Sequence, residues 1–590
     1  MTDNQAPIKA GYYAYPLAKE GPKTTYSQTP ASNPVLRGIP LAVAGSAVAN
    51  IGYLSNFLWS NAGFSSLRKL KLDEYDPRYD PAVIPVNKGE NTLSDSSASQ
   101  ISYKASPPHP NRHYSIDDYH TAFKNGKLTP LSIAEVLLDL SSSPAHKNAF
   151  LSVKKDQALL AAKASTERYK NGRARGPLDG VPIAVKDEVD LKGHNKTFGS
   201  SRDFTSAKDI TSWCVRKWED AGAIILGKLN MHELGLDTSN NNPITGTPLN
   251  PHNPHYYTGG SSGGSAYAVS AGLFPVTLGA DGGGSIRIPS SFCGIYGLKP
   301  SHGRVSSSPT TGLASSCGVL GPMASNMADL EYAYRLMAAP DPYDTISSMF
   351  VPPIQAPASH DRKKIIGIYK PYFEVAEPAV LDACNEAIRH FQSSGYTVID
   401  VTLPYLPEGQ LAHAITILGE ISTDITDFTG LSSANKILLS IGKRTPVADF
   451  FLAQKMRHLL MQHLSFLFQK HPGLQIVTPT APNAGWHISG GAADLKNGVS
   501  DANMSLRTMT YVWMANFTGC PSLTVPVGRV SAVEGEGKVP VGLMAMAEWG
   551  GEEQLLAWGR VAEEWAWREH DERMAKPESW VDVMAAVKND

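Results

Sequence analysis

From about residue 175 the chain alternates short apolar runs with glycine-rich turns and amphipathic stretches. The runs VPIAV (181–185), AIILG (223–227) and LFPVTLG (273–279) are too short for helices and too apolar for exposed loops. They read as buried strands. Helical patterns lie between them, so the sequence predicts a largely α/β sheet with helical layers. Strand character returns in SLTVPVG (522–528) and VGLMAMAEW (541–549), ahead of a helix near Glu552–Glu569.

Ser115, with Asp118 three positions later, predicts a capped helix start, because both groups can satisfy free N–H donors of a first turn. Residues 156–169, DQALLAAKASTERY, are strong helix formers. Residues 330–475 read as more helical. Within them, FFLAQKMRHLLMQHLSFLF (450–468) is apolar around most of its circumference, as a helix buried on more than one face would be.

The N-terminal part is different. Residues 38–64, GIPLAVAGSAVANIGYLSNFLWSNAGF, contain no charge. Their asparagines and serines make a poor spanning helix, which needs about 20 predominantly apolar residues. Two readings stay open: a helix packed on the main domain, or an interfacial membrane contact. Residues 91–112 are Ser/Pro-rich and read as a linker or surface crossing. The expected organisation is an extension over 1–110, with the apolar segment and the Ser/Pro-rich linker, and a main domain over 111–590 that is more helical around 330–475.

Composition narrows the function classes. The 590 residues carry a formal net charge of −2 and no long run of like charge, which argues against a nucleic-acid surface. The five cysteines are scattered and odd in number, without a CxxC pair, and read as reduced thiols in a cytoplasmic protein. No clustered His/Cys spacing or HExxH suggests a metal, and no cofactor is expected.

The segment DGGGSIRIPSSFCG (281–294) concentrates the candidate chemistry. Glycine is costly to order, so three in a row mark a backbone that something approaches closely. A phosphate loop would need a following Lys-Ser or Lys-Thr, and a dinucleotide fingerprint would need GxGxxG; neither is present. A plain tight turn and a nucleophile beside an oxyanion hole remain. In the second case Gly282, Gly283, Gly284 and Ser285 would supply backbone N–H donors, and Ser285 the attacking hydroxyl. A second glycine loop, GGSSGG (259–264), matches GxSxG as a string, but NPHNPHYYT before it is no strand, against a hydrolase elbow. A nucleophilic serine needs a base. His194, His232, His252, His255 and His302 carry no local signature for that role. Lys186, after the apolar run of GVPIAVKDEVD (180–190), is either a strand-end lysine reaching solvent or a buried neutral amine.

These segments resemble the amidase signature family of serine hydrolases. The stretch from Gly259 to Val305 looks like its signature. GVPIAVKDEVD looks like its lysine segment, and IVTPTAP (476–482) and NFTGCPSLTVPVG (516–528) look like its later core segments. The resemblance covers about residues 110–570. It implies an amidase with the amidase signature fold, a large mixed, twisted β-sheet core flanked by α-helices with a helical N-terminal extension. It also implies a catalytic domain over 111–590, with a variable substrate region around 330–475, and a Ser–cis-Ser–Lys arrangement. Ser285 would be the nucleophile, Ser261 the bridging serine after a cis Gly260–Ser261 peptide, and Lys186 the base. Asp281 and Arg287 read as a supporting ion pair. Ser262 reads as a hydrogen-bonding member of the site, with Thr258 a weaker candidate. Further likeness, in NNPITGTPLNPHNPHYYTGG (241–260) and LGKLNMHELG (226–235), points to the plant-type fatty acid amide hydrolase branch, although residues 1–110 align only loosely. It implies a small-molecule amide substrate, with lipid amides preferred over small aliphatic or aryl amides. It leaves room for membrane contact through 38–64 and for a homodimer. A glutaminase-type subunit of a tRNA-dependent amidotransferase and a non-catalytic binding module are the competing readings.

Overall fold

The computed structural model describes residues 9, 11–27, 33–86, 101–106, 109, 111–353, 363–569 and 575–587. Eleven strands form one mixed sheet. In chain order they are β1 (Phe150–Val153), β2 (Pro182–Lys186), β3 (Ile224–Leu229), β4 (Val276–Asp281), β5 (Tyr296–Lys299) and β6 (Val319–Ala324), then β7 (Ile365–Ile368), β8 (Thr397–Asp400), β9 (Leu474–Pro479), β10 (Ser522–Ser531) and β11 (Lys538–Ala547). Their order across the sheet is β8-β7-β9-β11-β10-β5-β6-β4-β2-β3-β1. Two parallel patches, β8-β7-β9 and β4-β2-β3, flank an antiparallel centre. β2 and β4 are buried along their whole length, as continuous apolar runs covered on both faces should be.

The predicted helices form. Ser115 and Asp118 make a reciprocal capping box at the start of Ile116–Lys124, and Lys155–Lys170 and Glu552–Glu569 are helical. Val447–Lys470 runs 24 residues and buries Gln454, Arg457 and His463 along with its leucines, so it is enclosed on several faces. The stretch read as more helical does hold long helices, Pro378–Ser393, Leu406–Asp424 and Ser433–Gly442. It also supplies β7 and β8, which extend the sheet at one edge. Each is only four residues long, and β8 sits between the helices Pro378–Ser393 and Leu406–Asp424.

Residues 38–64 fold as two helices, Gly38–Asn50 and Gly52–Asn61, bent 105° to one another. Among the described residues no single helix is long and apolar enough to cross a membrane. The first helix packs against Ser433–Gly442. The approach is close at Gly45, where a Cβ would come 2.8 Å from Ser433 Cβ, so only glycine fits. Leu36–Arg37, just before this helix, pairs antiparallel with Val499–Ser500. The crossing expected over 91–112 lies largely outside the described residues. Its described part is tied down by Tyr103 Oη donating to Asp329 Oδ1 (2.7 Å) and Ser106 Oγ donating to Glu563 Oε2 (3.1 Å).

Candidate active site

β2 and β4 are parallel neighbours, so their carboxyl ends open at the same edge, where α/β sheets commonly bind ligands. β2 ends in Lys186 and β4 in Asp281. The Gly282–Ser285 loop follows β4 and leads into the short helix Arg287–Phe292, while GGSSGG leads into Gly263–Ser270. Ser262 joins the two glycine loops. Its N–H donates to Ser285 O (3.2 Å) and its Oγ to Ala280 O (3.0 Å). The Gly260–Ser261 peptide is cis, as the resemblance implied.

Lys186 is 1% exposed. Its Nζ donates to Ser261 Oγ at 2.8 Å and to Ala280 O at 3.1 Å, and it lies 3.1 Å from Glu188 Oε2. Burial pushes this ammonium below its ordinary range, against the opposing pull of Glu188 and, more weakly, Asp281. Ser261 and Ser285 line one cavity, and no hydrogen bond joins their hydroxyls directly. Such contacts often tighten only when a substrate is bound.

Asp281 and Arg287 form a fully buried ion pair, Nε to Oδ2 3.0 Å and Nη2 to Oδ1 3.1 Å. Arg287 Nη2 also reaches Asn516 Oδ1 at 2.6 Å. Burial alone would raise the Asp281 carboxyl. The Arg287 guanidinium and the Gly284 N–H outweigh it and hold the group well below the usual carboxylate range. The same carboxylate corrects part of the expected donor set. Gly284 N–H is spent on Asp281 Oδ1 (2.6 Å), and Ile286 N–H on Oδ2 (3.1 Å). Among the described residues no acceptor meets the N–H groups of Gly282, Gly283 or Ser285, so three of the four expected donors remain open. Gly284 is still required as glycine: its φ is +112° and a Cβ would lie 2.4 Å from Val512 Cγ2.

The histidines lie elsewhere or face other partners. His194 contacts Ser152 Oγ (2.9 Å), and His252 contacts Cys293 O (3.2 Å). His232 and His302 line the cavity, but none of the five hydrogen-bonds to Ser285. Thr258 Oγ1 turns to its neighbour's carbonyl, Gly259 O (3.3 Å). Two contacts had not been anticipated. Glu188 stands two residues after Lys186, in the turn that follows β2, and folds back to the amine. His413, whose Nε2 meets Gly282 O at 2.8 Å, is 131 residues away in sequence and left no local signal.

The cavity has a volume of about 1420 Å³. Lys186, Ser261, Gly282, Gly283, Ser285 and His413 form one polar region of its wall. Leu58, Ala62 and Phe64 from the N-terminal segment, with Ile417, Leu418, Ile421, Leu438, Ile441 and Phe450, form an extended apolar wall.

A family model described as Amidase matches residues 133–556. The chain belongs to the amidase signature family. A fatty acid amide hydrolase of Medicago truncatula is 34% identical over 495 residues, 80% of this chain and 79% of the relative. A glutamyl-tRNA(Gln) amidotransferase subunit of Thermus thermophilus is 32% identical over 476 residues, 75% of this chain and 96% of the relative. A solved amidase crystal structure superposes with a TM-score of 0.66 at 26% identity, covering 76% of this chain and 99% of that one. The chain is thus an amide-hydrolysing enzyme with the fold expected from its sequence.

Proposed function

We propose that this amidase hydrolyses fatty acid amides, N-acylethanolamines among them, through an acyl-enzyme on Ser285. The observation that carries the reading is the 2.8 Å contact between buried Lys186 Nζ and Ser261 Oγ at the wall of a large, mainly apolar cavity that also holds Ser285. With its pKa lowered by burial, Lys186 can take a proton from Ser261. Ser261 in turn takes one from Ser285 as that oxygen attacks the carbonyl. The Gly282, Gly283 and Ser285 N–H groups meet the developing negative oxygen. The relay then returns a proton to the nitrogen, which leaves as a neutral amine, an essential step because an amide anion is a very poor leaving group. Water enters with the same base and releases the acid. Asp281, Arg287 and Ser262 hold the two glycine loops in register.

The apolar wall supports a long acyl chain. The N-terminal helices supply part of that wall from their inner side, and their outer side supports contact with a lipid surface. Ile39 (79% exposed), Val43, Ile51, Tyr53 (83% exposed) and Phe57 project outward, and Val447 and Phe451 are exposed as well. Apolar patches of this kind, on helices whose Leu58 lines the cavity, suit substrates drawn from a bilayer.

The test is a panel of ethanolamides and primary amides with graded acyl length, with the product amine quantified. The expected outcome is kcat/KM rising with chain length until the apolar wall is filled. A preference for acetamide, anilides or glutamine would overturn the lipid reading and leave the amidase assignment intact.

A further inference from the structure

The Gly282–Ser285 loop is pinned from two opposite chemistries. On one side the Asp281 carboxylate accepts the Gly284 N–H at 2.6 Å. On the other His413, from the Leu406–Asp424 helix, meets the Gly282 carbonyl at 2.8 Å. A carbonyl oxygen can only accept, so His413 Nε2 carries the proton and donates. The contact leaves no room for a side chain, since a Cβ on Gly283 would lie 2.9 Å from His413 Cε1.

His413 is fully buried. Its ring is flanked by Trp513 and Phe517, with centroids 6.5 and 6.0 Å away. Its Nδ1 has no partner among the described residues. Burial, with Arg457 nearby, lowers its pKa to about 4, so near neutral pH it is an uncharged donor rather than a proton carrier. The proton relay has no use for such a group. The peptide it holds does have a use. The Gly282–Gly283 bond is trans, and in a trans peptide the C=O and the following N–H point in opposite directions. Fixing Gly282 O against the imidazole therefore turns Gly283 N–H away from it, and no protein acceptor among the described residues meets that N–H.

We infer that His413 is a positioning residue for the oxyanion hole: by holding the Gly282 carbonyl it aims the Gly283 N–H at the substrate oxygen that becomes negative. The inference rests on the reading of Ser285 as nucleophile. A donor held in place beforehand lowers the barrier because it need not reorganise as charge develops.

Two variants separate aim from architecture. His413→Gln keeps an N–H at about the reach of Nε2, whereas His413→Leu removes the donor and retains bulk. Losing one oxyanion donor outright costs roughly 10²–10³ in kcat. With the donor present but unaimed, His413→Leu is expected to lose about 10- to 100-fold in kcat, with KM changed less than about threefold. His413→Gln should recover most of the loss. Binding of a long-chain aldehyde, whose oxygen becomes the oxyanion when Ser285 adds, should weaken in step with kcat. Binding of the matching alcohol, which forms no adduct, should not change. Wild-type kcat in His413→Leu, equal losses for aldehyde and alcohol, or a His413→Gln no better than His413→Leu would each overturn the inference while the wild type still bound the aldehyde covalently. A wild type that formed no adduct would remove the Ser285 reading and this inference with it.

Discussion

Lys186 Nζ stands 2.8 Å from Ser261 Oγ and 3.1 Å from Glu188 Oε2, so one buried amine faces a hydroxyl on one side and a carboxylate on the other. The two contacts pull in opposite directions. Burial favours the neutral amine that a base must be, and Glu188 favours the ammonium. Asp281 adds a weaker pull toward the ammonium, and its charge is largely answered by Arg287.

With Lys186 as the base, activity should fall on the acid side as the amine becomes protonated, and Glu188 should set where that fall occurs. Glu188→Gln removes a group that raises the lysine pKa, so the acid limb of the kcat/KM profile should move to lower pH. An unmoved limb would show that another group titrates there.

Ser285→Ala should abolish hydrolysis and covalent labelling by a fluorophosphonate, with an unchanged circular dichroism spectrum. Lys186→Ala should slow acylation by about 10²–10⁴-fold, the range for general acid–base roles, read as the rate of a single turnover. Full turnover in either folded variant would defeat the relay.

Arg287→Leu leaves the Asp281 carboxylate buried without its cation. Breaking a buried pair on one side typically costs about 3–5 kcal/mol, to be read from urea midpoints at pH 7. The sign of the pH dependence follows from Asp281. In the wild type its folded pKa is depressed, so its stabilisation is present above the unfolded value and fades as pH drops through the folded one. In the variant the isolated carboxyl is raised instead, and protonation relieves it. The stability gap between the two proteins should narrow between pH 7 and about pH 4.5.

Ile421 lies one helical turn beyond Ile417, and both line the cavity. Ile421→Trp should fill the apolar wall and shift the preferred substrate toward shorter acyl chains, at a stability cost of about 1–3 kcal/mol. Ratios of kcat/KM across the acyl panel would measure it. Equal losses at every chain length would mean that the acyl chain lies elsewhere.

If the outer faces of the N-terminal helices meet lipid, Tyr53→Asp combined with Phe57→Asp should reduce co-sedimentation with phosphatidylcholine vesicles. Hydrolysis of a short soluble amide should stay unchanged. Equal sedimentation of both proteins would argue against that contact.

The features that were legible in the sequence are those encoded locally. The apolar runs ending at Lys186 and Asp281 gave strands because they are buried on both faces, and Ser115 with Asp118 gave a cap because the two groups are three residues apart. Lys186 meeting Ser261 followed from family resemblance and not from spacing, since 75 residues separate them. The features that escaped depend on tertiary packing. β7 and β8 are four residues each, too short to carry a periodic signal of their own. The Gly284 N–H looked available until the Asp281 side chain folded back onto it. His413 belongs to a helix whose sequence reports only its own periodicity, not the loop it would touch.

The ladder between Leu36–Arg37 and Val499–Ser500 ties an early segment of the chain to a late one, with Leu58, Phe64, Leu506 and Met509 meeting around the same chamber. During synthesis, then, more than four hundred residues must leave the ribosome before the chamber closes. Until then the apolar side chains of residues 38–64 lack the Ser433–Gly442 surface they pack on in the folded protein. Unpaired apolar surface of that kind is what makes large chains prone to aggregate during synthesis.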